Sequence, residues 1–163
     1  RLDRLSKSDP LTGLLNRRGF KDCLASLPEG QHFAFIFGDL NELKETNDTL
    51  GHEAGDQLLC AAAQIFLHVG HEGFIFRMGG DEFLVVLTGK VDPEKTEARL
   101  QAFMRQLVAV YRQDEGLKCL TVSAGIAYAK EKPVPIEVLM NHSDEALYKA
   151  KACGRSCYRV YQE

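Results

Sequence analysis

Met78-Gly79-Gly80-Asp81-Glu82-Phe83 lies between two short apolar runs, Gly73-Phe74-Ile75-Phe76-Arg77 and Phe83-Leu84-Val85-Val86-Leu87. Two β-like segments joined by glycine-rich punctuation read as a hairpin. The glycines permit positive φ and leave room for a ligand to approach the backbone closely. At the tip, neighbouring carboxylates repel each other and raise each other's pKa unless a cation neutralises them. A tight turn that displays both suggests a hard metal such as Mg²⁺; the alternative is a solvated turn.

Outward from the hairpin, helical and strand-like patterns alternate. His32-Phe33-Ala34-Phe35-Ile36-Phe37-Gly38-Asp39 is a near-continuous apolar run, the mark of a central strand covered on both faces. Apolar spacing and punctuation predict helices over about residues 16–26, 40–49, 56–69, 93–111 and 135–153, and strands over 120–128 and 157–161. Pro28-Glu29-Gly30 breaks the first helix, and the stretch from Gly51 to Asp56 is a turn that opens the long helix. The expectation is an α/β (α+β) domain, one sheet with helices packed on it.

At 163 residues the chain is long enough for one domain around a single core. Leu2 and Leu5 have heptad-like spacing, which suits the tail of a helix arriving from an upstream signalling domain. Residues 1–8 are therefore read as linker and 9–163 as the domain. No apolar run approaches the roughly 18 residues that span a bilayer, so no membrane contact is expected. The polar start does not read as a secretory signal. A net charge of −3 leaves no broad basic footprint, so nucleic acid is not an expected partner. Five scattered cysteines, Cys23, Cys60, Cys119, Cys153 and Cys157, contain no CxxC pair and read as free thiols in a reducing cytoplasm. A metal or redox pair at Cys153 and Cys157 is the alternative. His68 and His71, three apart beside no carboxylate cluster, read as surface histidines.

Asp39 closes the buried run where the chain leaves the core. A carboxylate there suits a metal, because the strand is rigid and the mouth of the sheet is open; a helix N-cap is the alternative. With the hairpin strand alongside, Asp81 would face Asp39. Two or three carboxylates, a backbone carbonyl and phosphate oxygens then make an Mg²⁺ site of the kind nucleotide enzymes use.

The Gly79-Gly80-Asp81-Glu82-Phe83 turn resembles the signature of the GGDEF family, the diguanylate cyclases. Asp39-Leu40-Asn41-Glu42-Leu43-Lys44-Glu45-Thr46-Asn47-Asp48 resembles the family's D-x-D-x-F-K-x-x-N-D pattern, and Gly51-His52-x-x-Gly55-Asp56 its continuation. Asp144-Glu145-Ala146-Leu147-Tyr148-Lys149-Ala150-Lys151-x-x-Gly154-Arg155 and the opening Asp9-Pro10-Leu11-Thr12-Gly13-Leu14-x-Asn16-Arg17-Arg18 match further blocks, in the right order. The opening block is read as structural, joining an upstream helix to the domain.

The resemblance implies a palm-like fold similar to class III nucleotide cyclases, with a mainly antiparallel mixed sheet. It implies that two GTP condense to cyclic di-GMP in an antiparallel homodimer whose active-site faces meet. Mg²⁺ or Mn²⁺ would be held by Asp39, the Leu40 carbonyl, Asp81 and Glu82, with Glu82 completing the metal site or helping to deprotonate the attacking hydroxyl. Gly79 and Gly80 would flank the substrate. Backbone N–H groups near Glu42 and Leu43, at a helix start, would cradle the β- and γ-phosphates. Lys44, Lys151 and Arg155 would supply positive charge to the triphosphate. Asn47 and Asp56 would read guanine, whose N1–H and N2–H₂ suit a carboxylate acceptor. Helix capping is the alternative for Asn47 and Asp56, and a solvated basic face for Lys151 and Arg155.

The chain departs from the family pattern in places. The second Asp of D-x-D is Asn41, with little chemical loss expected, and the usual Phe is Leu43. The positions of the family's inhibitory R-x-x-D site fall on Gly70, His71, Glu72 and Gly73, so product inhibition there should be absent. The competing reading is a GTP-binding module that signals to a partner without turnover; a dimerisation unit is a third.

Overall fold

The computed structural model describes residues 6–27, 34–41, 43–70, 73–113, 121–129, 134–154 and 157–163, with the backbone alone over 106–113. Its sheet is built around β1 (Ala34–Leu40), with β2 (Gly73–Gly79), β3 (Glu82–Leu87), β4 (Val122–Tyr128) and β5 (Tyr158–Val160) in the order β2-β3-β1-β4-β5. β1 pairs antiparallel with β3 and β4, β2 pairs antiparallel with β3, and β5 adds parallel to β4. The sheet is thus mixed and mainly antiparallel. The helices are α1 (Arg17–Ser26), α2 (Leu43–Leu50), α3 (His52–Val69), α4 (Pro93–Gln113) and α5 (Ile136–Ala152).

Successive strand side chains point to opposite faces, and here both faces are apolar. Ile36, Val85 and Ile126 join Leu58 and Phe66 of α3 and Leu100 of α4. Phe35, Leu84, Val86 and Ala127 join Phe20 of α1 and Leu139 of α5. That two-sided covering is why β1 reads as a continuous hydrophobic run rather than an alternating one. Each fully buried Phe or Leu of these clusters contributes about 1.5–3 kcal/mol.

Two glycines bring helices against the sheet. A Cβ at Gly38 would meet the Phe66 ring at 2.0 Å, so glycine there lets α3 seat on β1. A Cβ at Gly125 would meet the Ser143 carbonyl at 2.1 Å and the Leu147 nitrogen at 2.3 Å, so α5 crosses β4 backbone to backbone.

Some boundaries differ from expectation. The helix expected from residue 40 begins at Leu43. Leu40 instead stays in the ladder, paired with Val122, and its N–H donates to the Asp81 carbonyl at 3.0 Å. The helix expected from Asp56 begins at His52. Gly51 alone makes the turn, at φ 91°, a left-handed conformation that L side chains resist. Gly55 and Asp56 therefore lie within α3. Ladder hydrogen bonding and one glycine's dihedral decided these ends, and neither shows in apolar periodicity. The expected strand residues His32, Phe33 and Leu120, the Pro28–Gly30 break, Leu2 and Leu5, His71 and Cys119 lie outside the described residues. The other four cysteines are free. Among the described residues no helix is long and apolar enough to cross a membrane.

Candidate active site

Asp39, the penultimate residue of β1, is buried at 7% exposure. It lies directly opposite Glu82, the first residue of β3. Residues directly opposed in a ladder project from the same face of the sheet. Asp81 precedes Glu82 in the turn, where its backbone carbonyl accepts from Leu40. The expectation that Asp81 faces Asp39 is therefore corrected. The carboxylate in register with Asp39 is Glu82, because the ladder extends one residue past the apolar core.

The two glycines of the turn act differently from expectation. Neither Gly79 nor Gly80 is among the glycines at positive φ. Gly80 and Asp81 form the turn, and the ladder below them carries a register shift between Arg77 and Gly79, a bulge at Met78. What the glycines retain is space: a Cβ at Gly80 would meet nothing within 4 Å, and one at Gly79 only Glu82 Oε2 at 3.7 Å. Ligand access to this backbone is open.

Above the carboxylates lies the C-terminal end of α5. The Lys151 ammonium donates to Asp39 Oδ2 in an ion pair. The close seating of α5 at Gly125 and Leu147 places Lys151, one turn beyond Leu147, over the end of β1. Asp39 Oδ1 is buried and accepts no hydrogen bond from the described residues. A buried carboxylate oxygen without a partner is costly, and its chemistry fits a bound cation. Among the described residues no three His, Cys, Asp or Glu side chains gather into a ready metal cage. Mg²⁺ takes one or two carboxylates and completes its shell with water and substrate phosphates, and Asp39 with Glu82 is a donor set of that kind.

Asn41, next on the same face, does different work. Its amide donates to the Thr121 and Ser123 hydroxyls, each at 3.1 Å, and Ser123 returns a bond at 3.2 Å. The side chain ties β1 to β4.

Asn47 and Asp56 come to the corner between α2 and α3. The Gly51 N–H donates to the Asn47 carbonyl at 3.0 Å, and a Cβ at Gly55 would fall 1.7 Å from Asn47 Oδ1. Gly55 thus seats the Asn47 amide against α3. Asp56, the next residue, is exposed, as is Lys44 on α2; Leu43 packs partly into the core. Glu42 and Arg155 lie outside the described residues.

Arg77 is the residue that the sequence reading missed. Its guanidinium pairs with both oxygens of Asp9, at 3.0 and 3.1 Å, across 68 residues. It also donates twice to the Gly80 carbonyl, at 3.2 and 2.9 Å, and Arg17 donates to the Met78 carbonyl at 3.3 Å. The opening turn is docked on β2, with the Arg77 N–H donating to the Leu15 carbonyl at 2.8 Å. Burial pushes the Asp9 carboxyl up, but hydrogen bonds from Thr12 and the Arg77 charge outweigh it and hold Asp9 below its ordinary value. Asp9, Asn16, Arg17, Arg18, Arg77, Met78 and Gly79 line a hollow of about 400 Å³ beside the turn. An arginine two residues before Gly-Gly was the available signal, but nothing in one sequence pairs residue 77 with residue 9. A larger hollow, about 690 Å³ against β5 and α4, is lined by no carboxylate among the described residues.

A family model described as the diguanylate cyclase GGDEF domain matches residues 6–157. Diguanylate cyclase DgcM of Escherichia coli K12 is 35% identical over 161 residues, which are 95% of this chain and 38% of that protein. Cyclic di-GMP phosphodiesterase NbdA of Pseudomonas aeruginosa is 32% identical over 95% of this chain and 20% of its own length. The GGDEF domain of DgcB from Caulobacter crescentus, solved in complex with c-di-GMP, superposes with a TM-score of 0.81 at 27% identity, covering 96% of each chain. The fold is accordingly the expected palm-like one. The chain spans between 20% and 38% of the length of the curated relatives it matches.

Proposed function

We propose, since the chain belongs to the GGDEF domain family, that it condenses two GTP into cyclic di-GMP with release of two pyrophosphates. The observation that carries this reading is the pairing of Asp39 with Glu82 on one face, beneath Lys151, with Asp39 Oδ1 left unpartnered.

Asp39, Glu82 and the Leu40 carbonyl, with Asp81 beside them in the turn, would hold Mg²⁺ or Mn²⁺, which when bound neutralises phosphate charge and acidifies the attacking 3′-hydroxyl. Glu82, half-buried at the start of β3, takes the hydroxyl proton or completes the metal site. The open backbone at Gly79 and Gly80 lets the reacting phosphate approach the sheet. N–H groups at the start of α2, around Glu42 and Leu43, with Lys44, Lys151 and Arg155, hold the triphosphate. Asp56 accepts from the guanine N1–H and N2–H₂, and Asn47 pairs beside it. ATP lacks those donors and is disfavoured.

Each protomer holds one GTP, and the two-fold symmetry of the product fits a C₂ homodimer whose active-site faces meet. The relatives are several times longer than this chain, which is consistent with a further domain in the whole protein; that this domain is an upstream sensor and that this part is cytoplasmic belong to the same proposal. Absence of R-x-x-D inhibition is supported by Gly70 and Gly73, which stand where the Arg and Asp would be. Cβ atoms at Gly70 and Gly73 would meet Val85 at 2.7 Å and the Val86 carbonyl at 2.2 Å.

The phosphodiesterase-named relative keeps a second reading in view, a domain that holds GTP and signals without turnover. Incubation of concentrated protein with GTP and Mg²⁺, followed by chromatography and mass analysis, decides between them. Cyclic di-GMP that disappears in Glu82→Gln establishes the cyclase. GTP binding by calorimetry and a dimer in solution without product establish the regulatory module.

A further inference from the structure

Lys151 stands where a metal-bound Asp39 has no use for it. Its ammonium pairs with Asp39 Oδ2 while the other oxygen of the same buried carboxylate is unpartnered. A monovalent ammonium and a divalent cation compete for one carboxylate, because held together at short range they repel. The two partners differ in freedom. Asp39 is fixed in the sheet with its side chain 10% exposed, whereas the Lys151 side chain is 38% exposed. The backbone below Lys151 is seated by the contact of α5 at Gly125, so only the flexible four-carbon stem can move.

We propose that Lys151 is an exchangeable counter-ion. It neutralises Asp39 when no metal is bound, and moves to the nucleotide phosphates when a divalent cation takes Asp39. The inference rests on the reading of this site as one for metal and nucleotide. It adds that metal and nucleotide binding are coupled through a single side chain. A divalent cation entering alone at Asp39 Oδ1 repels the ammonium held on Oδ2 and loosens its hold on that anion. With a triphosphate present, the displaced ammonium gains a new one. Each ligand therefore strengthens the other, and by linkage to the same factor.

The test measures Mn²⁺ binding to the whole chain by electron paramagnetic resonance, with and without GTP, and GTP binding by calorimetry in the presence of a chelator. Lys151→Met should bind Mn²⁺ alone more tightly, by about tenfold, and show a coupling factor between Mn²⁺ and GTP reduced by a similar amount. Lys151→Gln keeps a donor to Asp39, guards against misfolding and should shift the same way. Unchanged Mn²⁺ affinity in a folded Lys151→Gln protein, with GTP affinity alone reduced, would make Lys151 a plain phosphate contact and overturn the exchange. Wild-type protein that binds neither Mn²⁺ nor GTP would remove the site reading itself, and the exchange with it.

Discussion

Arg77 Nη1 donates to both carboxylate oxygens of Asp9, at 3.0 and 3.1 Å, while Nε and Nη2 of the same guanidinium hold the carbonyl of Gly80. The opening turn of the domain and the turn that carries Asp81 are therefore braced by one side chain. Arg77→Met should lower stability by about 1.5–3 kcal/mol, the usual cost of losing hydrogen bonds to a charged partner. It should also slow turnover by more than the loss of folded protein explains. Denaturant unfolding and steady-state rates check both; a stability loss with unchanged kcat would confine Arg77 to a structural role.

The same pair has a pH signature. The Asp9 carboxyl is held below its ordinary 3.8 in the folded protein, so its contribution is present above that unfolded value. It is lost as pH falls below it, through the depressed folded value. In Asp9→Asn the acid limb of the stability profile should be shallower; an unaltered limb would mean that Asp9 is not coupled to folding.

Gly55→Ala puts a methyl group on the Asn47 amide, 1.7 Å from Oδ1 before any adjustment. The substitution gains up to about 1 kcal/mol of helix propensity, which offsets the overpacking, so thermal stability is the poorer readout. Calorimetry should show GTP affinity reduced by about tenfold. An unchanged affinity would place Asn47 outside the base pocket.

Asp56→Ser should weaken the preference for GTP over ATP. Asp56 is exposed, so water competes for its oxygens, and the expected loss is about 1–3 kcal/mol of discrimination. Competition binding with both nucleotides measures it. Undiminished selectivity would relocate the guanine contact.

Asn41→Ala leaves the Thr121 and Ser123 hydroxyls without their partner across β1 and β4. The expected cost is about 1–3 kcal/mol of stability, with the Mg²⁺ dependence of the rate unchanged. A large change in metal requirement would return Asn41 to the chemistry.

The amino-acid sequence by itself determined the layers of this protein, the hairpin and the residue types at its tip. Apolar period and glycine punctuation are local, and they were legible in the run through Phe35-Ile36-Phe37 and in Gly79-Gly80. The motif blocks were legible too, because a carboxylate or a lysine keeps its chemistry wherever the chain carries it. Tertiary structure alone decided the pairings. Register across two strands set Glu82, rather than Asp81, opposite Asp39. The near contact of α5 with β4 at Gly125 set Lys151 above Asp39, 112 residues away in sequence. Docking of the opening turn set Asp9 against Arg77. Side chains so far apart along the chain meet only when ladder hydrogen bonds and backbone packing fix the distance between elements, and periodicity carries no record of that distance.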